Sequence, residues 1–177
     1  MRIGIDVSQL AYTNTGVANY LQNLVKAIIK SEEHEFVLFY SSLRREIPSE
    51  VLKLSALKNV TLKTAKIPPL LLDVIWNRFH KIPIEKFTGP LDIFLSSDWT
   101  EPPTVKAKKA TILYDLIIYK YPEETAEKII AVQKRKLGWV KKETDIIFCI
   151  SEATKKDAIE LGFKKEKLSV IYPGLTI

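Results

Sequence analysis

The chain has 177 residues, of which 46% are hydrophobic and 27% charged, and its formal net charge at pH 7 is +6. That length suits one well-buried domain better than two. No apolar run reaches the ~18 residues that a membrane-spanning helix needs, and no apolar signal segment follows Met1, so we expect a cytoplasmic protein. The single cysteine, Cys149, excludes a disulfide within the chain and is expected to be a buried structural thiol.

Short apolar segments rich in β-forming residues alternate with segments that have helical spacing. The predicted strands are Arg2–Val7, Glu35–Tyr40, Val60–Thr64, Leu91–Leu95, Lys109–Leu113, Ile146–Ile150 and Leu168–Ile171. The predicted helices between them cover about 17–30, 47–57, 70–79, 123–142 and 151–161. This alternation predicts a Rossmann-like α/β domain, with a parallel sheet of about six to seven strands and helices on both faces.

The positive charge has several interpretations. Lysines on solvated helix faces are the simplest, and an anionic membrane surface, a phosphorylated ligand or nucleic acid are the alternatives. Lys134–Lys136 and Lys141–Lys142 fall on one predicted helix and indicate a basic outer face. Neither a nucleic-acid-binding motif nor a cluster of stacking aromatic residues accompanies them, so we expect no nucleic-acid partner.

Ligands of open α/β sheets bind outside the carboxyl ends of the strands, near the point where the strand order reverses. Four loops are predicted there: Ser8–Gly16, Ser96–Pro103, Tyr114–Pro122 and Ser151–Glu152. Polar and aromatic residues are frequent in three of them. We therefore expect the ligand contacts of this chain to come from these loops.

Thr15, Gly16 and Val17 begin the first helix. A helix start offers free backbone N–H groups and positive potential to a phosphate, although Gly16 could simply permit a tight turn. The segment has neither the glycine spacing of a dinucleotide-binding loop nor the Gly-Lys-Ser/Thr of a P-loop.

Asp98 and Trp99 lie in a proline-bounded loop. A carboxylate beside an indole is a frequent arrangement for binding a sugar. The alternative is an exposed acidic loop whose tryptophan packs into the core. Asp115, after Tyr114, either lies poised in a cleft or caps the next turn. Ser151 and Glu152 fit the start of a helix, with Ser151 as its cap. The two histidines and the cysteine show no zinc spacing, so we expect no metal site.

In their order and spacing, several segments resemble the N-terminal domain of group 1 (family 4) retaining glycosyltransferases of the GT-B fold. The segments that carry the resemblance are Arg2–Val7, Thr15–Leu21, Asp92–Trp99 with Pro102 and Pro103, Leu113–Glu123, Ile150–Asp157 and Lys167–Gly174. The resemblance covers essentially the whole chain. It implies two Rossmann-like domains with a cleft between them, the N-terminal domain binding the acceptor and the C-terminal domain binding a nucleotide-sugar donor.

On this resemblance, residues 1–172 are the acceptor-binding domain, residues 173–177 begin the interdomain linker, and the donor-binding domain is absent. Thr15, Gly16 and Val17 would lie near the donor diphosphate, Tyr114 and Asp115 at the reaction centre, and Asp98, Trp99, Ser151 and Glu152 on the acceptor side. The chain itself would bind no cofactor, and a nucleotide sugar would be the co-substrate of the full enzyme. Its partners would be a sugar or lipid-linked acceptor and a donor-binding domain or subunit.

Two features depart from the pattern implied by the resemblance. Tyr114 stands where the family usually has histidine, and a tyrosine, with an ordinary pKa of about 10, supplies no near-neutral base. On the same resemblance the donor half is expected to be missing, in which case this chain alone would form no complete site. The alternatives are therefore a non-catalytic module that binds a glycan or a partner, and a scaffold subunit of a split transferase.

The segment Leu70–Phe79 is strongly apolar, with Lys81 and Lys86 beyond it. An apolar helix usually packs into the core. In the family resembled, the same region often holds membrane-proximal acceptors, and the net positive charge agrees with that use. Peripheral contact with the inner face of the membrane through Leu70–Phe79 is thus a second interpretation.

Overall fold

The computed structural model describes residues 1–96 and 98–174. Its centre is a seven-stranded sheet in which every pairing is parallel, with the order β3-β2-β1-β4-β5-β6-β7. The strands are β1 (Arg2–Asp6), β2 (Glu35–Ser41), β3 (Val60–Ala65), β4 (Ile93–Ser96), β5 (Lys108–Leu113), β6 (Ile146–Cys149) and β7 (Leu168–Val170). Each predicted strand is confirmed, with small differences at its ends.

The helices fill the connections between the strands. They are α1 (Gly16–Ile28), α2 (Ser49–Ser55), α3 (Pro69–Leu72), α4 (Glu85–Thr88), α5 (Ile117–Lys120), α6 (Glu127–Glu143) and α7 (Glu152–Glu160). Short 3-10 turns cover Ser8–Ala11, Pro122–Glu124 and Lys165–Lys167, and a π-helical segment, Asp73–Arg78, continues α3. The helix predicted for 123–142 begins later because Pro122–Glu124 forms a 3-10 turn instead.

Apolar side chains cover the sheet on both faces. Val25 of α1 and Val51 of α2 pack with Ile5 in one cluster, while Trp76 and Phe94 lie in another. A third cluster, under α6 and α7, includes Cys149, which is fully buried as predicted. The prediction of a parallel sheet covered by helices on both faces is therefore confirmed.

The basic outer face predicted for α6 is wrong at Lys136. This lysine is 1% exposed and shares the buried face of the helix with Leu137 and Val140. Its Nζ donates a hydrogen bond to Thr111 Oγ1 at 3.2 Å. Burial lowers the pKa of the Lys136 ammonium, and the nearby carboxylates of Glu101, Asp98 and Asp6 oppose that shift. Acidic partners from distant segments, rather than solvent, thus surround this charge.

The segment Leu70–Phe79 is divided between the core and the surface. Leu72 and Trp76 are buried, which confirms core packing for that side of the segment. Leu70, Leu71 and Phe79 are 78%, 46% and 60% exposed. Across residues 1–96 and 98–174, no helix combines the length and the apolar character needed to cross a bilayer.

Candidate functional site

The strand order reverses between β1 and β4, and a cleft of about 780 Å³ opens nearby at the carboxyl edge of the sheet. This volume lies within the roughly 300–1,000 Å³ of ordinary ligand sites. The loops after β1, β2, β3 and β4 and the first turns of α6 line the cleft. The position agrees with the rule for open parallel sheets, so this cleft is the candidate site.

The floor of the cleft is built at the ends of β1 and β2. Asp6 is buried at the end of β1, and its Oδ1 accepts a hydrogen bond from the Ser8 backbone N–H at 2.9 Å. Ser8 Oγ in turn accepts one from the backbone N–H of Ser41 at 2.9 Å. These bonds fix the two loops relative to each other before any ligand arrives.

Thr15 lines the cleft and caps α1, since its Oγ1 accepts a hydrogen bond from the Ala18 backbone N–H at 3.2 Å. Gly16 and Val17 follow it in the first turn of the same helix. A β-carbon at Gly16 would meet nothing within 4 Å. The left-handed backbone conformation in this loop is adopted by Asn14, with φ of 68°. Gly16 is therefore not required by a tight turn, and a side chain at this position would have room.

Trp99 lines the cleft from a loop that Asn77 holds in place. Asn77 is buried on the π-helical segment, where irregular helices often mark functional sites. Its Nδ2 donates to the Trp99 carbonyl at 2.9 Å, and its Oδ1 accepts from the Glu101 backbone N–H at 3.0 Å. Gln133 Nε2 adds a bond to the Asp98 carbonyl at 3.2 Å. The loop that carries Trp99 is thus held from two helical segments.

Glu101 anchors the same loop beneath the cleft, and sequence reasoning missed it. The residue is fully buried, and its Oε1 lies 3.1 Å from Lys109 Nζ and 3.2 Å from Thr144 Oγ1. Its Oε2 accepts a hydrogen bond from Ser96 Oγ. An acid in a polar loop has no local pattern that marks it as buried, because its partners come from β4, β5 and the end of α6.

Tyr114 forms the centre of a second group beside the cleft. Its ring meets that of Tyr20 edge to face, with centroids 5.6 Å apart. Burial, and then the negative charge of Asp98, raise the pKa of the Tyr114 hydroxyl far above its ordinary value. Burial also raises the pKa of Asp98, with Asp115 adding to the rise and Lys136 opposing it. The structure therefore brings Asp98, Tyr114 and Asp115 close enough to act on one another electrostatically.

Asp115 itself is exposed, and its Oδ1 accepts a hydrogen bond from the Ile117 backbone N–H at 3.1 Å. The capping alternative is confirmed for this residue. Ser151 caps α7 as predicted, because its Oγ accepts from the Thr154 backbone N–H at 3.1 Å. Thr154 Oγ1 donates to the Tyr114 carbonyl at 3.3 Å, which places the Ser151 loop against the Tyr114 loop. Glu152 is exposed in the first turn of α7.

The profile of glycosyltransferase family 4 matches residues 14–177. The chain belongs to glycosyltransferase family 4. No curated protein is significantly similar to it in sequence.

Within the described ranges, 1–96 and 98–174, no group of three or more histidine, cysteine, aspartate or glutamate side chains is arranged to hold a metal ion.

Solved structures of HepE from Anabaena share the fold of this family 4 chain. The complex with UDP-glucose has a TM-score of 0.54 at 14% identity, over 99% of this chain and 44% of HepE. The complex with UDP and glucose has a TM-score of 0.54 at 14% identity, over 99% of this chain and 45% of HepE. The complex with UDP has a TM-score of 0.52 at 13% identity, over 98% of this chain and 44% of HepE. The chain thus spans less than half of the length of HepE, and the likeness confirms the predicted GT-B half as a fold.

The predicted site residues of this family 4 chain fall into two neighbouring groups. Thr15 and Trp99 line the cleft itself. The other predicted residues, which lie beside it or at the Tyr114 group, are Gly16, Val17, Asp98, Tyr114, Asp115, Ser151 and Glu152. The ligand contacts of all of them remain predictions.

Proposed function

We propose that this chain binds the acceptor while a sugar is transferred to it from a nucleotide-sugar donor, with retention of the anomeric configuration. The observation that carries the proposal is the cleft at the reversal of the strand order, with Trp99 held on its wall by Asn77. Asn77 holds the backbone of Trp99 at the cleft wall, and an indole placed there suits stacking against the C–H groups of a sugar. Family membership and the HepE complex with UDP-glucose support the choice of a nucleotide sugar as donor.

Residues 1–172 are proposed to be the acceptor-binding domain, with residues 173–177 starting a linker of which 175–177 lie outside the described residues. A donor-binding domain or subunit would supply the other wall of the reaction site, so the chain alone is proposed to be inactive. The exposed position of Gly16 and the free backbone N–H groups at the start of α1 suit the donor diphosphate. No cofactor is proposed for this half.

Tyr114 is proposed to donate a hydrogen bond at the reaction centre instead of acting as a base. Its raised pKa keeps the hydroxyl protonated throughout the physiological range. Asp115 would lie with Tyr114 at the reaction centre, and Asp98, Ser151 and Glu152 would contact acceptor hydroxyls. The chemistry left to this half is positioning and the stabilisation of developing charge by fixed dipoles.

The test is transfer of labelled glucose from UDP-glucose to a total lipid and glycan extract of the source cells, catalysed by the whole gene product. Trp99→Ala should lower the labelled product by at least about tenfold, because a lost stacking platform misplaces the acceptor. Leu52→Ala is the control, since Leu52 is 49% exposed on α2 and does not line the cleft. Equal transfer rates for Trp99→Ala and the unmodified protein would show that the cleft takes no part in the reaction. An unchanged transfer rate for Asp115→Ala would likewise exclude a role for Asp115.

A non-catalytic module that binds a glycan or partner, or a scaffold subunit of a split transferase, is the second candidate. The buried hydroxyl of Tyr114, which cannot accept a proton near neutral pH, is the observation that favours it. This candidate predicts Trp99-dependent glycan binding without any release of UDP from UDP-glucose. Release of UDP that depends on Asp115 would exclude it.

Peripheral contact with the inner face of a membrane is proposed for only part of the segment Leu70–Phe79. Leu72 and Trp76 are buried, so only Leu70, Leu71 and Phe79 offer exposed apolar surface. A Leu70→Ser/Leu71→Ser variant should sediment less with anionic vesicles than the unmodified chain. Unchanged sedimentation would exclude this contact.

A further inference from the structure

Three cations line the cleft on its β2 and α6 sides, and the structure leaves them available. Arg44 and Lys128 form no hydrogen bond or ion pair with any residue in the ranges 1–96 and 98–174. Arg45 is held in place, because its Nη1 donates to the Ala11 carbonyl at 3.0 Å and its guanidinium lies 4.4 Å from the centroid of the Tyr12 ring. One cation is thus preoriented, and the other two can turn toward a ligand.

Each of the two acids that line the same cleft interacts with a cation behind its wall. Arg135 Nη2 lies 2.5 Å from Asp73 Oδ2, and Asn77 Nδ2 donates to Asp73 Oδ1 at 2.9 Å. Asp6 acts electrostatically on the buried ammonium of Lys136. The charge that the cleft presents to a ligand is therefore positive, because its three cations have no such counterions.

Helix α6 adds to this positive potential. It has 17 residues, and Ala126 at its N-cap provides no side-chain hydrogen bond, so the first backbone N–H groups have no side-chain acceptor. Lys128 and Ile129 from this first turn line the cleft, whereas Glu127, the acid of the same turn, does not. The uncapped end of α6 therefore adds to the positive potential that the two arginines create in the cleft.

Exposed apolar side chains line the same cleft as these cations. Leu43 is 53% exposed and Leu70 is 78% exposed, and both line the cleft together with Ile129. A small polar anion would leave this surface in water. An anion attached to an apolar group would bury it and gain the corresponding hydrophobic free energy.

We propose that Arg44, Arg45 and Lys128 form a phosphate subsite, and that the acceptor of this chain carries a phosphate group next to an apolar portion. Guanidinium groups suit this ligand because their planar forks match phosphate oxygens in pairs. That the ligand is the acceptor rests on the proposed function, whereas the binding of a phosphate group does not. The phosphate belongs either to a lipid headgroup or to a soluble phosphorylated compound, and the chemistry of the subsite is the same for both.

The experiment measures binding of the chain to two pairs of probes. Glycerol 3-phosphate is compared with glycerol by calorimetry, and vesicles that contain phosphatidic acid are compared with pure phosphatidylcholine vesicles by sedimentation. Arg44→Gln and Lys128→Gln should each weaken phosphate binding about tenfold, which corresponds to about 1.4 kcal/mol. Arg44→Lys should retain part of the affinity, since it keeps the charge and loses the fork. Lys58→Gln is the matched control, because Lys58 is exposed just before β3, at the opposite edge of the sheet.

Each result decides the proposal. Binding of phosphatidic acid vesicles that depends on Arg44 supports a lipid source, and binding of glycerol 3-phosphate that depends on Arg44 supports a soluble source. Failure of both phosphate probes to bind, or equal losses for Lys58→Gln and Arg44→Gln, would overturn the subsite and leave only general attraction by the net charge. Phosphate binding by the chain, together with no sugar transfer by the whole gene product, would keep the subsite and refute the proposed function.

Discussion

Replacing Glu101 by glutamine tests whether the buried charges beneath the cleft hold the Trp99 loop. Glu101 is fully buried, and its Oε1 lies 3.1 Å from the Nζ of Lys109, which is itself buried. Removing one partner of a buried ion pair commonly costs about 3–5 kcal/mol, since the other charge stays in the interior without compensation. Lys109 keeps a second partner, Glu143 Oε2, at 3.3 Å. We therefore expect a smaller loss from Glu101→Gln, of about 2–3 kcal/mol.

Urea and thermal unfolding followed by circular dichroism measure this loss. For a chain of this size, the expected fall in Tm is about 4–12 °C. Glu50→Gln is the control, because Glu50 pairs with Lys26 and Lys53 at the surface, where solvent screens the charges and little should change.

A double-mutant cycle with Lys109→Met isolates the pair itself. The Glu101→Gln/Lys109→Met variant should be more stable than the sum of the single effects by at least about 1 kcal/mol, since contacting residues do not act additively. The reasoning is refuted if Glu101→Gln destabilises no more than Glu50→Gln, or if the two changes add.

Four further predictions concern packing at two glycines, the pH dependence of stability and thiol chemistry. Gly4→Ala should destabilise the chain by about 1–3 kcal/mol, because the new β-carbon would lie 2.5 Å from a leucine methyl carbon. Gly138→Ala should instead stabilise it by about 0.5–1 kcal/mol in urea titrations, since a new β-carbon at this position of α6 would meet no atom of another element within 4 Å. Burial alone would raise the pKa of Glu143, but the hydrogen bond from His80 and the charge of a nearby lysine hold it below its ordinary 4.5. Its contribution to stability should thus be present above pH 4.5 and disappear as the pH falls through the lowered pKa, and Glu143→Gln should flatten that acid limb in unfolding measurements. Burial raises the pKa of Cys149 to about 11, so a disulfide reagent at pH 8 should label it only after unfolding, and rapid labelling of the folded chain would contradict the buried position.

The strands and most helices were predictable because their signals are local. Apolar segments such as Glu35–Tyr40 must cross the interior whichever neighbours they pair with. The capping role of Ser151 follows from its place before a helical segment. The segment Pro122–Glu124 was assigned to a helix because its boundary depends on backbone details that periodicity does not report.

The candidate site was predictable only as a set of loops. Trp99 and Thr15 were chosen because the carboxyl edge of a parallel sheet gathers such loops, and both line the cleft. Arg44 and Arg45, which also line it, were missed although two adjacent arginines in the polar loop after β2 were a signal that the same rule could have used. Asn77 was missed because an asparagine in an apolar segment shows no sign of the loop it will hold.

The amino-acid sequence by itself determined the alternation of strands and helices, the parallel class of the sheet and the resemblance to family 4, since each depends on residues near one another in the chain. The tertiary structure alone decided which charges are buried. Lys136 looks like a surface lysine of α6 until the acids of distant loops surround it, and Glu101 looks like a loop acid until Lys109 pairs with it. A charge can enter the interior only with compensating partners, and those partners are brought together by the fold.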